Sequence, residues 1–203
     1  MDWRTETDLL GEHKLPVDCP WGIHTARAQE NFQLTNLRTS QELLSALAMV
    51  KKACSQANHE LGYLPDEIAL PIAQACDDVI EGALDDAFVL DALQGGAGTS
   101  TNMNMNEVLA NRALAQRGLP AGAYDRIHPL EHVNLHQSTN DVYPTAIKVA
   151  AIFLVRELST HVARLQDSCQ RREKAFADIA KMGRTELQPA VPITLGLEFG
   201  AFA

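Results

Sequence analysis

Positive charge and cysteine are both scarce in this sequence. The 203 residues include 17 Lys and Arg against 26 Asp and Glu, a net charge of -9, with one short basic patch at residues 171–174. Affinity for nucleic acid rests on concentrated positive charge, so this class of partner is excluded. The cysteines have no paired spacing, which is typical of reduced thiols rather than of a disulfide framework. They are Cys19, Cys54, Cys76 and Cys169.

Targeting and membrane-spanning segments are lacking as well. The first residues, MDWRTETDLLGEH, are polar and contain acids, unlike a signal peptide with its basic start and apolar stretch. The most apolar segment, Ala146 to Val155, carries Lys148 and is too short to span a bilayer. We therefore expect a cytoplasmic protein without a membrane partner, and nothing in the sequence predicts a cofactor.

Apolar residues recur mostly at helical spacing, which predicts a mainly α fold. Residues 1–38 are the exception, because they have no sustained period, and we expect an extended or irregular arm with at most short strands there. The predicted helices cover residues 40–61, 66–80, 104–117 and 145–182, and another begins near Ile193. The first of them is expected to turn one apolar face inward, which comprises Leu43, Leu44, Leu47, Val50, Cys54, Ala57 and Leu61.

The longest predicted helix, residues 145–182, contains neither glycine nor proline and follows the sequence QSTNDVYP. Ser138, Thr139 and Asn140 suit a helix cap, and Pro144 suits the first turn because its missing N–H would be unpaired there. The free amides of a first turn favour an anion, such as a small carboxylate or phosphate. At about 1.5 Å per residue the helix is roughly 55 Å long, so we expect partners or further sequence to cover its apolar stripe.

Three polar loops, residues 94–106, 128–141 and 183–195, each adjoin a predicted helix and combine hydroxyl or amide side chains with glycine or proline. Their convergence would form a polar pocket for small carboxylates. Taken singly, the first loop is also explained as a turn, and QSTN as an ordinary helix cap. Nucleotide binding is not predicted, because the glycine-rich loop lacks the lysine of the GxxxxGK[ST] motif.

A metal site is the alternative interpretation of three histidines spaced by four, His128, His132 and His136, which a helix would align on one face. Pro129 biases His128 away from helix, so we favour a role in capping turns or in orienting the loop that carries Ser138. No metal site is predicted.

The three loops lie in longer blocks, QGGAGTSTNMNMNEVLANRA, HPLEHVNLHQSTNDVYPTA and GRTELQPAVPITLGLEF, that resemble the first conserved blocks of the aspartase/fumarase superfamily. The N-terminal GIHTARAQENFQL is similar to the aspartate ammonia-lyase branch. The resemblance implies a mainly α protein with a small N-terminal helical domain at residues 1–138. The start of a long-helix bundle, truncated here, would follow at residues 139–203. It also implies a homo-oligomer, a tetramer when complete, whose long helices bundle across subunits.

The reaction that the resemblance implies is the anti elimination of ammonia from L-aspartate to give fumarate. Thr99, Ser138 and Thr139 match family positions that hold the substrate carboxylate, Asn140 matches one near the leaving group, and Thr185 matches one contributed by another subunit. The family's catalytic serine lies in a GSS-containing loop that this sequence does not contain. The catalytic base is therefore expected beyond residue 203, and the chain alone is expected to be inactive.

Two departures from the family pattern bear on the substrate. Glu186, which we include among the substrate-binding residues, stands where family members usually carry histidine or glutamine, and Pro189 replaces the usual aspartate. A carboxylate about 4 Å from a bound carboxylate repels it by roughly 4 kcal/mol at an effective dielectric near 20. Glu186 is then protonated, turned away or paired with an arginine, or the substrate differs. Two alternatives stay open: a fumarase-type hydro-lyase, and a non-catalytic helical assembly protein or truncated remnant.

Overall fold

The computed structural model describes residues 2–203, and the fold is mainly α-helical, as predicted. Each of the two β-hairpins pairs consecutive antiparallel strands. The chain divides into two compact units, one up to Ala151 and one at Ile152–Ala203. Among the described residues, one 3₁₀ turn covers Asp85–Ala87 and one π turn covers Pro129–Val133. The other elements are β1 Trp3–Asp8, β2 Gly11–Pro16, α1 Ile23–Asn31, α2 Gln41–Glu60, α3 Asp66–Ile80, α4 Thr99–Gln116, α5 Thr139–Ala175, β3 Ala180–Thr185, β4 Gln188–Thr194 and α6 Leu195–Gly200.

The core of the first unit lies where α2, α3 and α4 pack against one another. Burying an aliphatic side chain stabilises a fold by about 1.5–3 kcal/mol, so the core side chains hold the three helices in fixed positions. All four cysteines are free thiols, as predicted. The fully buried side chains of this core include Leu47, Ile72, Met105, Leu109 and Ile127.

Helices α2 and α3 have the predicted ranges because their end signals are local. Ser40 caps α2 by accepting a hydrogen bond from the backbone N–H of Leu43 at 3.4 Å. Gly62 and Gly82 follow the two helices with φ angles of 79° and 80°. This left-handed conformation ends helices, and glycine adopts it without strain.

The inward face of α2 is only partly the predicted one. Leu47 is buried as expected, but in the second half of the helix the polar residues Lys51, Ser55 and Asn58 are the buried ones. Leu61 was predicted to point inward and is 71% exposed, so that prediction was wrong. The reason is that Lys51 and Asn58 have hydrogen-bond partners in the segment before α5, which hydrophobic periodicity does not detect.

The prediction of an irregular N-terminal arm was wrong at α1. Glu107 of α4, which is 1% exposed, accepts hydrogen bonds from the backbone N–H groups of Gly22, His24 and Thr25 at 2.9, 2.9 and 3.1 Å. A helix leaves the N–H groups of its first turn unpaired, so this distant carboxylate caps α1. Burial raises the pKa of Glu107, against the opposite effect of these hydrogen bonds. The spacing of apolar residues near α1 cannot indicate a cap that a distant residue supplies.

The limits of α5 also differ from the prediction. The helix begins at Thr139 rather than at 145, so Pro144 lies in its second turn. The missing N–H of Pro144 would have paired with the carbonyl of Asn140, an exposed residue near the start of the helix, so the proline removes one hydrogen bond there. The helix ends at Ala175 rather than at 182, because the residues that follow pair as β3 with β4. The last predicted helix is α6, which begins at Leu195.

Apolar side chains of α5 are uncovered in the second unit. Each is 45–64% exposed, and large exposed apolar areas mark interaction sites. The uncovered side chains are Ile152, Phe153, Leu154, Val155, Leu158, Val162 and Leu165.

No helix within residues 2–203 combines the length and the apolar character that crossing a membrane requires. The boundary between functional domains at 138/139 stays a prediction.

Candidate functional site

The first of the predicted site loops ends at the start of α4. Gly98 precedes the helix with a φ angle of 82°, and Thr99 is the first helical residue, with an exposed side chain. The Gln94 side chain accepts a hydrogen bond from the N–H of Thr101 at 3.0 Å and donates one to the carbonyl of Asp91 at 2.8 Å. The Thr99 hydroxyl is therefore presented by a backbone that is fixed on both sides. Helix α4 begins five residues before the predicted start, directly after Gly98, and glycine adopts this left-handed conformation readily.

Asp91 anchors the beginning of this loop. Its carboxylate accepts hydrogen bonds from the backbone N–H groups of Leu34, Thr35, Asn36 and Leu93 and from the Thr35 hydroxyl. These hydrogen bonds, those from Thr35 foremost, hold the pKa of Asp91 well below its ordinary value. The ionised carboxylate thus ties the connection between α1 and α2 to the segment that leads into α4.

The second predicted site loop ends at the start of α5. The Ser138 carbonyl accepts hydrogen bonds from the N–H groups of Asp141 and Val142 at 3.0 and 3.1 Å. The Ser138 hydroxyl accepts one from the N–H of Asn140 at 3.2 Å. Ser138 therefore caps α5, as predicted. Thr139 is half-buried, whereas Ser138 and Asn140 are exposed.

Two contacts bring the starts of α4 and α5 together. The side-chain amide of Asn102, in the first turn of α4, donates a hydrogen bond to the Thr139 hydroxyl at 3.1 Å. Gly98 lies so close to Tyr143 of α5 that a Cβ atom at this position would overlap the aromatic ring. The hydroxyl groups of Thr99 and Thr139 are thereby placed on adjoining helix starts, as the convergence of these two loops requires.

A buried polar network behind Thr139 was not predicted. The amine of Lys51 donates hydrogen bonds to Asn134 Oδ1 and Gln137 Oε1, each at 2.8 Å. Asn134 Oδ1 also accepts hydrogen bonds from the side-chain amides of Asn102 and Asn106, each at 3.2 Å. These bonds fasten the segment before α5 onto α2 and α4. One signal was available in the sequence, since helical spacing places Lys51 one turn after an inward leucine.

His128 and His132 stabilise the π turn, which is a role favoured from the sequence, whereas His136 contacts Asn58 of α2. His128 Nδ1 accepts hydrogen bonds from two backbone N–H groups of the π turn at 3.0 and 3.1 Å. His132 Nδ1 accepts one from the backbone N–H of His128 at 2.8 Å, and His136 Nδ1 lies 2.9 Å from Asn58 Oδ1. Across residues 2–203 no group of three His, Cys, Asp or Glu side chains is placed to hold a metal ion.

An open groove of about 830 Å³ borders the first turn of α4 at Ser100. His24, Arg27 and His128 also line it. The guanidinium of Arg27 forms hydrogen bonds to both carboxylate oxygens of Asp8 at 2.7 and 2.9 Å, so its charge is already paired. The groove gives small solutes access to the first turn of α4 from solvent.

The remaining predicted site residues, Thr185 and Glu186, lie in the second unit at the tip of the β3–β4 hairpin. Thr185 pairs with Gln188, and the two residues of the turn, Glu186 and Leu187, have φ angles of 50° and 61°. This is the left-handed region that residues other than glycine rarely adopt. Glu186 is exposed, and no arginine or lysine within the described residues lies within 4 Å of its carboxylate. The predicted pairing of Glu186 with an arginine is therefore not seen in the single chain.

Comparison with known proteins gives matches along nearly the whole chain. A family model described as Lyase matches residues 11–203. Aspartate ammonia-lyase from a Bacillus species is 48% identical over 202 residues, and the corresponding enzyme from Escherichia coli K12 is 47% identical over 203. These alignments cover 100% and 98% of the chain but only 43% and 42% of the relatives. The chain thus spans less than half the length of these curated relatives and corresponds to their N-terminal portion.

Solved structures agree with the sequence matches. The chain resembles the fumarate lyase:delta crystallin of Brucella melitensis with a TM-score of 0.94 and 50% identity, over 99% of this chain and 47% of that one. It resembles the class II fumarase of Schistosoma mansoni with a TM-score of 0.89 and 33% identity, over 98% of this chain and 42% of that one. The fold and the polar helix starts therefore define a chain of the mainly helical lyase class. Within that class, the chain belongs to the aspartase/fumarase superfamily, as its sequence blocks indicated.

We predict that Gly98→Ala destabilises the chain more than Gly62→Ala. Both glycines have left-handed φ angles, 82° and 79°, so each alanine incurs about 1 kcal/mol of backbone strain. Only at Gly98 does the added methyl group also overlap Tyr143, whereas the space at Gly62 is open. Overpacking adds about 1–3 kcal/mol.

The measurement is the free energy of unfolding in urea for the parent chain and both variants. An equal loss of stability in the two variants would contradict the close packing between the starts of α4 and α5.

Proposed function

We propose that the chain is the N-terminal portion of an ammonia-lyase of the aspartate type, which eliminates ammonia from L-aspartate to give fumarate. The observation that carries this proposal is the junction of two helix starts, at which Asn102 bonds Thr139 and Gly98 packs on Tyr143. A small carboxylate is the ligand that such a junction suits, because hydroxyl groups and helix N-termini favour an anion. The names of the curated relatives support aspartate as the substrate.

The chemistry assigned to these residues is the stabilisation of negative charge. In an anti elimination, a base removes the proton next to one carboxylate, and that carboxylate becomes a dianionic aci-carboxylate as the leaving group departs. Preorganised hydrogen-bond donors then act most strongly where the charge develops. Thr99, Ser138 and Thr139 would hold the carboxylate, Asn140 would lie near the departing ammonia, and Thr185 would act from another subunit.

This assignment requires a homo-oligomer, because Thr185 is proposed to act in the site of a neighbouring copy. The apolar side chains of α5 that are about half exposed, from Ile152 to Leu165, offer the surface for such an association. The proposed occupant of that surface is the long helix of other copies, which would form a bundle. The proposed location of the protein is the cytoplasm.

The isolated 203 residues are proposed to be inactive. The resemblance assigns the base to a serine in a GSS-containing loop, and no such triplet occurs in the sequence. The acid–base step would therefore come from residues that correspond to the C-terminal part of the relatives.

We predict that joining residues 1–203 to the C-terminal remainder of the aspartate ammonia-lyase of Bacillus subtilis produces an active chimera. The two proteins are 45% identical across the whole chain, so the interfaces are expected to fit. In this chimera Thr139→Val should lower kcat/KM for aspartate about 100-fold, because one donor to the developing charge is lost. Formation of fumarate, followed by its absorbance, gives the rates.

Thr145→Val is the matched control for this experiment. The Thr145 hydroxyl is exposed and bonds the Asp141 carbonyl of its own helix at 2.7 Å, so the variant should keep the parent rate. Parent activity in Thr139→Val would contradict the carboxylate role. A chimera that converts malate but not aspartate would show a fumarase-type hydro-lyase instead. An assembled chimera with neither activity would favour the non-catalytic alternative.

We predict further that Glu186→Gln lowers the KM of the same chimera for aspartate. Glu186 is exposed at a hairpin tip and has no cationic partner within the described part of its own chain. Its negative charge would then act on the substrate carboxylate, at a cost of roughly 4 kcal/mol if the two are about 4 Å apart. Steady-state kinetics of the parent and variant chimeras, with Glu12→Gln on the exposed β1–β2 hairpin as the control, test this. Equal KM values would exclude the repulsion.

A further inference from the structure

Lys51 is buried in the middle of the first unit. It lies on α2 with no solvent exposure, and its Nζ donates hydrogen bonds to Asn134 Oδ1 and Gln137 Oε1 at 2.8 Å each. Both acceptors are neutral amides, and within residues 2–203 no carboxylate oxygen lies within 4 Å of the amine. A buried ammonium without a counter-charge is costly. A neutral amine has two N–H donors, and two acceptors satisfy them.

The ionisable groups around Lys51 do not supply a counter-charge. Cys54, one turn along α2, and Cys76 of α3 are the titratable neighbours, and burial raises the pKa of both thiols, that of Cys76 to about 12. The side chains of α4 that bond Asn134, the partner of the amine, are the amides of Asn102 and Asn106, and amides carry no charge. Burial accordingly lowers the pKa of Lys51 from 10.5 to about 7.

The hydrogen bonds of Lys51 continue to Thr139. Asn134 Oδ1, which the lysine holds, also accepts hydrogen bonds from the amides of Asn102 and Asn106. The amide nitrogen of Asn102 donates to the Thr139 hydroxyl as well, at 3.1 Å. The buried Oδ1 atoms of Asn102 and Asn106 have no hydrogen-bond partner in the described chain. Protonation of Lys51 would add a third N–H donor to a network in which these two acceptors are unused.

We propose that Lys51 is a positioning residue for the candidate site, acting through Asn134, Gln137 and Asn102 on the Thr139 hydroxyl. Proton uptake by the amine then rearranges the amides and moves the donor that holds Thr139. The role of Thr139 toward a carboxylate rests on the proposed function, whereas the coupling between Lys51 and Thr139 does not depend on it.

The protonation of Lys51 also makes the stability of the fold depend on pH. Between about pH 7 and 10.5 the unfolded chain carries a proton on this lysine that the folded chain has released. The unfolded state binds more protons there, so the contribution of Lys51 to stability rises with pH through this window and is lowest below pH 7. Lys51→Met should abolish this contribution.

The test is an NMR titration of the ¹⁵N-labelled 203-residue chain between about pH 5.5 and 8.5. In the parent, the side-chain amide signals of Asn134, Gln137 and Asn102 and the backbone amide signal of Thr139 should shift with one shared midpoint near 7. Lys51→Met should remove this shared titration. Lys52→Met is the matched control, because Lys52 is partly exposed and pairs with Asp77 at 2.7 Å, and it should retain the titration.

Three imidazoles in the same segment could also titrate in this pH range, so the parent chain must be compared with Lys51→Met. His128, His132 and His136 lie close to the signals that are followed, and burial lowers the pKa of His132. A titration caused by an imidazole would persist in Lys51→Met with an unchanged midpoint, and this result would overturn the proposal. The absence of any shared midpoint in the parent chain would overturn it too.

A second variant keeps the test decisive if Lys51→Met does not fold. Asn134→Asp places a carboxylate beside the amine, which favours the ammonium form, so the shared midpoint should move up by at least one pH unit. An unmoved midpoint would contradict the proposal. If the titration is as expected but Thr139→Val leaves the chimera fully active, the proposed function fails and the positioning of Thr139 by Lys51 stands. If the chimera needs Thr139 but the shared titration is absent, the proposed function stands and the positioning of Thr139 by Lys51 fails.

Discussion

The burial of one lysine constrains the part of the candidate site that lies at the starts of α4 and α5. Lys51 has no solvent exposure, and its amine donates hydrogen bonds to two neutral amides of the segment that precedes α5, which are the two acceptors that an uncharged amine needs. Asn134 of that segment also accepts hydrogen bonds from the side-chain amides of Asn102 and Asn106 of α4, so the position of the segment relative to α2 and α4 is fixed. Because the segment leads directly into Ser138, the network determines where α5 begins. The site at the two helix starts depends on this placement.

The sequence predicted elements whose signals are local and missed those whose partners are distant. Helices α2 and α3 were predicted within a residue or two, since Ser40, Gly62 and Gly82 mark their ends. Helix α1 was missed because Glu107, more than 80 residues away, caps it. The end of α5 was missed because the residues after it pair as a strand with a segment that contains prolines.

The candidate site divides in the same way. The loops that carry Thr99 and Ser138 were found from their own residues, and the sequence blocks placed the chain in its family. The contacts that join the loops, Asn102 with Thr139 and Gly98 with Tyr143, were not predictable from spacing. Lys51 was missed because apolar periodicity assigns no role to a lysine on the core side of a helix. Thus the candidate binding residues, whose role stays a proposal, were named from the resemblance of their sequence blocks, whereas the contacts that position them depend on packing.

A crystal structure of the chimera with bound succinate tests the central claim most directly. Succinate has the two carboxylates of aspartate but no leaving group, so it should remain bound without reacting. The account predicts one of its carboxylates about 3 Å from the hydroxyl oxygens of Thr99 and Thr139, at the junction of α4 and α5. Succinate bound elsewhere, with both hydroxyl groups contacting only protein or water, would contradict the account.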